Sequence, residues 1–215
     1  FPDNYSYQEN MLPKFHKKQG YDVEVIASLE TFDNDGKTCY YSEAKRYTNE
    51  NDVLVTRLNY KSPDKIYKKL KRFSELSQAL EMAKPDILFI HNVQFLDMDK
   101  VVSYLKRNKK VKVFCDNHAD FTNSAKGFVS RKILHGIIWK HCAKSIEPYT
   151  TKFYGVLPAR VDFLKEVYGL PEEKCELLVM GADDDRVSQA SDPAVREAVR
   201  KRYKINDDEI FFLTG

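Results

Sequence analysis

Short apolar runs alternate with stretches of helical periodicity along nearly the whole chain. Strands are predicted at 21–27, 52–58, 87–90, 111–115, 151–157, 175–180 and 209–214. Helices are predicted at 6–19, 63–83, 97–108, 124–142, 159–168 and 192–203, and a hairpin turn at 33–36. Alternation of strand and helix is typical of a parallel sheet. We therefore expect an α/β protein with a Rossmann-like, mostly parallel sheet and helices on both faces.

Polar residues follow two of these strands at the point where each strand ends. Asp116-Asn117-His118-Ala119-Asp120 comes after strand 111–115, and His91-Asn92 comes after strand 87–90. Open α/β sheets bind ligands at the carboxyl ends of their strands. The sequence therefore predicts a functional site at this edge of the sheet.

Three interpretations of this polar cluster remain open from the residues alone. His91, Asp116, His118 and Asp120 have the chemistry to hold a divalent cation for hydrolysis. In a metal-free transferase, His118 would donate to a sugar hydroxyl or phosphate while an aspartate orients its ring. In the third interpretation these residues only end strands and cap the next helix. No glycine-rich phosphate loop is present.

Charge and cysteine content narrow the class of protein. The net charge of +3 conceals basic and aromatic stretches at 14–18, 67–73 and 127–144. These stretches suit an anionic surface, although solvated helix faces are the plainer interpretation. The four cysteines lack metal-type spacing, which favours free thiols in a reducing cytoplasm. No apolar run approaches the roughly 18 residues of a spanning helix, and no signal peptide is visible.

Several segments together resemble the amino-terminal half of glycosyltransferase family 4, which has the GT-B fold of two Rossmann-like domains facing a cleft. They are YQEN (7–10), KKQGYDVEVI (17–26), KPDILFIHN (84–92), DNHAD (116–120), LVMGAD (178–183) and FFLTG (211–215). The family's strand signature carries a histidine after the glycine, whereas Tyr21 follows Gly20 here. The order and spacing of the segments cover nearly the whole chain.

The resemblance implies a retaining transfer of a sugar from a nucleotide-sugar donor to the hydroxyl of a glycan or lipid-linked acceptor. His118 would contact the donor sugar as the catalytic residue, and Glu9, Asn92, Asp116 and Asp120 would bind substrate on the acceptor side. The loop 2–6 would approach the donor phosphates. The resemblance implies no metal, no cofactor besides the donor and no nucleic-acid partner. It also implies a cytoplasmic enzyme, with peripheral contact at the inner membrane face as a further expectation.

The same resemblance predicts the domain organisation. Residues 1–185 would form the acceptor-side domain, and 186–215 a linker and the start of a truncated donor-binding domain. The family's donor-binding carboxylate pair has no counterpart here, so we expect the chain 1–215 to be inactive by itself. The family's early Gly-Gly pair is also absent. The family's first strand, usually central in the sheet, also has no counterpart, and we expect its position to be empty, bridged or filled by a partner segment. A metal-dependent hydrolase and a non-catalytic module that binds glycans or lipids are the alternatives.

Overall fold

The computed structural model describes residues 1–33, 35–125 and 127–212. The chain divides into two compact units, Phe1–Met180 and Gly181–Gly215. The strands of the first unit are β1 Glu24–Ser28, β2 Glu30–Phe32, β3 Thr38–Tyr40, β4 Arg46–Thr48, β5 Leu54–Leu58, β6 Ile87–Ile90, β7 Lys112–Asn117, β8 Thr150–Gly155 and β9 Cys175–Leu177. Its helices are α1 Gln8–Lys18, α2 Asp64–Leu70, α3 Leu76–Ala83, α4 Met98–Arg107, α5 Lys140–Ile146 and α6 Pro158–Glu166, together with a π-helix Val129–Trp139 and 3₁₀ turns Glu147–Tyr149 and Glu172–Lys174.

A four-stranded parallel sheet, in the order β6-β7-β8-β9, forms the centre of the first unit. A three-stranded sheet has the order β1-β5-β4, in which β1 and β5 are parallel and β4 is antiparallel to β5. The strands β2 and β3 form the predicted hairpin, although Asn34 of its turn lies outside the described residues. The predicted fold class, α/β and Rossmann-like, is confirmed.

The parallel strands fall into two sheets that separate between β1 and β6. The strand β1 pairs with β5 along one edge, and β6 pairs with β7 along one edge. In the part of the chain that the structure describes, no strand pairs with the other edge of either. The first strand that the sequence predicts to be missing would lie between β1 and β6 in the usual order, and what occupies that position stays a prediction.

The hydrophobic core joins the four-stranded sheet to the helices around it. Alternate residues of β7 and β8, such as Val113 and Phe153, are fully buried, as expected for strands with one face packed more closely than the other. The helix α4 packs against both α3 and α5. The helix α6 lies against β8 because Gly155 has no side chain: a Cβ there would be 2.4 Å from the backbone nitrogen of Val161. This approach fixes the loops at the carboxyl end of the sheet.

Several predicted bounds in the first unit shift by up to three residues, and three differences change the description of the fold. The predicted helix 63–83 is two helices, because Lys71 adopts a left-handed conformation and Phe73 forms a bridge with Tyr60. The predicted strand 111–115 extends to Asn117, so part of the polar cluster lies within β7. The predicted helix 124–142 begins as the π-helix at Val129 and continues as α5.

The second unit contains two helices, α7 Asp184–Ala190 and α8 Pro193–Tyr203. The start of α8 is as predicted: the side chain of Asp192 accepts a hydrogen bond from the backbone nitrogen of Ala194, and proline occupies the first turn. The helix α7 was not predicted. Residues 209–212 are not in a strand, and the rest of the predicted strand 209–214 lies outside the described residues. None of the helices in the described ranges is both long and apolar enough to span a bilayer.

Candidate functional site

The register of β6 and β7 brings two polar segments together. Ile90 is paired with Cys115 in this parallel ladder. The next residues, His91 and Asp116, are therefore neighbours at the carboxyl edge of the sheet. His118 lies two residues beyond Asp116, on the same side of the chain. Three residues from two strand ends thus form one cluster, which we call the His-Asp-His cluster (His91, Asp116 and His118).

Asp116 is the centre of this cluster and is fully buried. Its Oδ2 lies 2.8 Å from Nδ1 of His91 and 3.3 Å from Nε2 of His118. Its Oδ1 accepts a hydrogen bond of 2.7 Å from the backbone nitrogen of Asn92. The carboxylate therefore binds both imidazole rings and the start of the loop after β6.

The protonation of Asp116 follows from these contacts. Burial raises the pKa of Asp116, but the hydrogen bonds from His118 and His91 outweigh burial and lower it to about 2. The carboxylate is ionised near neutral pH and can only accept hydrogen bonds. Nδ1 of His91 and Nε2 of His118 must then carry the hydrogens. In the neutral rings, Nε2 of His91 and Nδ1 of His118 are left as acceptors.

The two histidine rings form the accessible side of the cluster. Their centroids are 4.5 Å apart and their planes are inclined by 54°. His118 is half-buried and His91 is exposed. The carboxylate of Glu9, on α1, lies 3.7 Å from Nε2 of His91. Glu9, predicted to bind substrate, is thus brought beside the cluster from a separate element.

Asn92 begins the loop after β6 in a left-handed conformation, with φ of 71°. Asparagine tolerates this conformation better than most residues. Its backbone is held by Asp116, and its side-chain oxygen accepts from the backbone nitrogen of Gln94 at 3.3 Å. Asn92 therefore lies at the cluster as predicted, with its backbone orientation fixed.

Asp120 differs from the other predicted site residues. Its Oδ1 accepts hydrogen bonds from the backbone nitrogens of Thr122 and Asn123 and from the hydroxyl of Thr122. Its Oδ2 lies 3.3 Å from Nε of Arg160 on α6. Burial raises the pKa of Asp120, and these hydrogen bonds lower it to about 2. The carboxylate orders its own loop, and a contact with substrate stays a prediction.

Sequence reasoning missed the residues that hold the site loops in place. Asn117 is fully buried, and its side-chain nitrogen donates to the carbonyl oxygens of Ala119 and Arg160. Asn117 belongs to the predicted polar cluster, but its partner forty-three residues away is set by the position of α6. These bonds fix the path of the chain on both sides of His118.

Arg57 holds the loop 2–6 and has no sequence signal beyond its place in a strand. It is 1% exposed, and its guanidinium donates to the carbonyl oxygens of Ser28, Glu30 and Phe1. It also forms an ion pair of 3.2 Å with Asp3. A buried arginine with this many acceptors is a rigid anchor.

The donor set of the His-Asp-His cluster also suits a metal ion. One ligand atom from each of the three residues lies within 4.8 Å of the others. Imidazole nitrogen and carboxylate oxygen are ligands of zinc in proteins. Asp120, the fourth residue of the metal-site interpretation, is not in this group. Three ligands are therefore available where the sequence suggested four.

A solved glycosyltransferase is similar in structure to this chain. No family model matches the chain, and no curated protein matches it. A glycosyltransferase from Rickettsia africae ESF-5 is similar in structure, with a TM-score of 0.49 and 17% sequence identity. The similarity covers 92% of this chain and 45% of that glycosyltransferase, so the chain spans about half the length of that protein.

Proposed function

We propose that this chain is the acceptor-side half of a retaining glycosyltransferase of family 4, with the GT-B fold. It would move a hexose from a nucleotide-sugar donor to an acceptor hydroxyl in glycan or polysaccharide synthesis in the cytoplasm. The observation that supports this most is the His-Asp-His cluster at the carboxyl edge of a parallel sheet. The order of the family-like segments in the sequence supports the choice of family.

His118 is the catalytic residue in this proposal. Asp116 accepts from its Nε2, so Nδ1 on the far side of the ring is available to a substrate. A ring held in one orientation by a buried carboxylate positions its free nitrogen without further loss of side-chain entropy. Towards a nucleotide-sugar, that nitrogen would bind a sugar hydroxyl, and in the protonated ring it would stabilise charge that develops during transfer.

The acceptor side of the site would be formed by Glu9 and Asn92, while the buried Asp116 orients the two rings and a contact of Asp120 with the acceptor stays a prediction. Carboxylates accept hydrogen bonds and amides both accept and donate, which suits the neighbouring hydroxyls of a sugar. Glu9 and His91 together offer an acceptor and a ring nitrogen 3.7 Å apart. In the neutral ring of His91 this nitrogen is also an acceptor, so a glycan hydroxyl would donate its hydrogen to one of the two.

The proposal includes a second, donor-binding half that starts near residue 186, after an acceptor-side domain 1–185. The chain by itself should then release no nucleotide from UDP-, GDP- or ADP-sugars in the presence of a glycan acceptor. Rapid sugar transfer by residues 1–215 alone would contradict a separate donor half.

The test of the site uses the intact protein that contains both halves. Nucleotide release from a panel of UDP-, GDP- and ADP-sugars is measured for the wild type, for His118→Ala and for His141→Ala. His141 is an exposed histidine of α5 and serves as the matched control. We expect His118→Ala to lower turnover about a hundredfold or more, with the control within about twofold. Equal turnover in all three proteins would remove His118 from the chemistry.

Metal-dependent hydrolysis is the second candidate, favoured by the three ligand atoms within 4.8 Å. Stoichiometric zinc in the purified protein, lost in both His91→Ala and His118→Ala, would support it over sugar transfer. Turnover of nucleotide-sugars that is unchanged by EDTA would favour the transferase.

A further inference from the structure

An exposed apolar ridge runs along the π-helix, next to the candidate site. Phe128 is 76% exposed and Ile137 is 63% exposed, with Val129 and Ile133 also exposed between them. The i→i+5 bonding of a π-helix brings residues four or five apart to the same side. Phe128, Ile133 and Ile137 have these spacings and therefore lie along one side. We call Phe128, Val129, Ile133 and Ile137 the apolar ridge.

The opposite side of the same helix is anchored in the core. His135 and Trp139 are buried, and the core continues into α5 with Ala143 and Ile146. Nδ1 of His135 lies 3.0 Å from the hydroxyl of Tyr168. The helix is thus fixed by one side, so the ridge is a rigid surface that is presented outward.

The charge around the ridge has one sign. Between Asp120 and Glu147 the sequence contains no acidic residue and five basic ones, Lys126, Arg131, Lys132, Lys140 and Lys144. Arg131 and Lys132 are exposed beside the ridge. In the described part of the chain Lys132 has no ion-pair partner, and the guanidinium of Arg131 lies 5.3 Å from the ring centroid of Phe121.

The other two basic and aromatic stretches of the sequence differ from this one. In α1, Lys17 pairs with Asp52. In the stretch 67–73, Arg72 pairs with both Asp97 and Asp99. Each of these stretches has a basic side chain paired with a carboxylate of another element, whereas the ion pair of the stretch 127–144, Lys144 with Glu147, lies at its far end. Arg131 and Lys132 lie beside large exposed apolar side chains.

From this combination we propose that the π-helix docks on an anionic lipid bilayer, with the ridge in the interfacial layer and Arg131 and Lys132 at the headgroups. Exposed apolar side chains flanked by basic residues are the surface that an interfacial helix presents to such a membrane. A protein partner of opposite charge would not explain four large apolar side chains as directly. The proposal stands without the glycosyltransferase assignment, because it uses none of the site residues.

The docked face is connected to the site through one loop. The side-chain nitrogen of Asn123 donates to the carbonyl oxygen of His118. The hydroxyl of Ser130 donates to the carbonyl oxygen of Ser124. The π-helix therefore starts eleven residues after His118, at the end of a loop that these bonds hold. A membrane bound at the ridge would bring a lipid-linked substrate close to the His-Asp-His cluster.

The experiment measures co-sedimentation of this chain with vesicles of phosphatidylcholine alone and of phosphatidylcholine mixed with phosphatidylglycerol. We expect binding to the mixed vesicles that weakens as salt rises. The double variant Phe128→Ser/Ile137→Ser should lower the partition coefficient about tenfold or more. The control Ile66→Ser/Met82→Ser changes residues that are 55% and 56% exposed and should bind as the wild type does.

Two further variants test the charge. Lys132→Gln should weaken binding to the mixed vesicles about fivefold, while Lys110→Gln, an exposed lysine of the loop before β7, should not. Circular dichroism of every variant confirms that the fold is retained. Equal binding to both kinds of vesicle, or unchanged binding by the double variant, would overturn the proposal. A dimer in sedimentation velocity that the double variant abolishes, without vesicle binding, would assign the ridge to self-association and would also overturn it.

Discussion

Replacing Asp116 by asparagine keeps the shape of the side chain and removes the charge at the centre of the His-Asp-His cluster. Asparagine has one oxygen and one nitrogen where the carboxylate has two oxygens. If the oxygen still accepts from the backbone nitrogen of Asn92, the new nitrogen faces the ring nitrogens of His91 and His118. Both rings must then switch tautomer to accept from this nitrogen, and the hydrogen bonds to a charged acceptor are lost, which destabilises the folded state.

The magnitude follows from the pKa of Asp116, which is about 2 in the folded protein against an ordinary aspartate value of 3.8. A depressed pKa stabilises the folded state above the unfolded pKa, and the stabilisation is lost as pH falls through the folded pKa. The shift corresponds to about 2 kcal/mol at pH 7. It should fall to about 1 kcal/mol at pH 3 and nearly vanish near pH 2.

Urea unfolding of the wild type and of Asp116→Asn, each at pH 7 and at pH 3, measures this contribution. The control is Asp22→Asn, because Asp22 is exposed and has no hydrogen-bond or ion-pair partner among the described residues. We expect Asp116→Asn to lower the free energy of unfolding by about 2 kcal/mol at pH 7 and by less at pH 3. A loss no larger than that of Asp22→Asn at both pH values would refute the assignment of an ionised Asp116 that holds both rings.

Three further outcomes follow from the structure. Arg57→Met should lower the free energy of unfolding by about 3–5 kcal/mol, because it leaves the carboxylate of Asp3 without its buried partner. Gly155→Ala should cost about 3 kcal/mol, since the new methyl group would overlap the backbone of α6. Iodoacetamide should modify the half-buried Cys39 before Cys115, because burial raises the pKa of the Cys115 thiol to about 12.

Matched changes separate these effects from general sensitivity to substitution. Arg46→Met removes a more exposed arginine whose ion pair with Glu24 is 3.2 Å long, and it should cost less than about 1 kcal/mol. Gly181→Ala adds a methyl group with no atom within 4 Å and should be nearly neutral. Equal losses within either pair, or equal labelling of the two thiols in the folded protein, would contradict the corresponding argument.

Local sequence signals predicted the elements whose ends are set by interactions between residues close in the chain. Helix α8 starts where Asp192 caps it and a proline follows, both of which are visible in the sequence. The break between α2 and α3 was not predictable in this way. The backbone nitrogen of Phe73 donates to the carboxylate of Asp97, which also pairs with Arg72, and both partners lie about twenty-five residues away in the chain.

The candidate site shows the same division between local and distant causes. The contact of Asp116 with His118 follows from their spacing in an extended segment. The contact of Asp116 with His91 required the register of two strands, which the sequence does not specify beyond their order. The contact of Asp120 with Arg160 depends on how α6 packs on the sheet. The sequence alone therefore could not show whether the carboxylate of Asp120 orders its own loop or binds substrate.

The central proposal is that His118, held by Asp116, acts in sugar transfer. The most direct measurement is nucleotide release from nucleotide-sugars by the intact protein, comparing His118→Ala with the exposed control His141→Ala, with EDTA present. We expect the first variant to lose about a hundredfold or more of the wild-type turnover while keeping its fold, and the control to keep its activity. Wild-type turnover in His118→Ala would contradict the proposal.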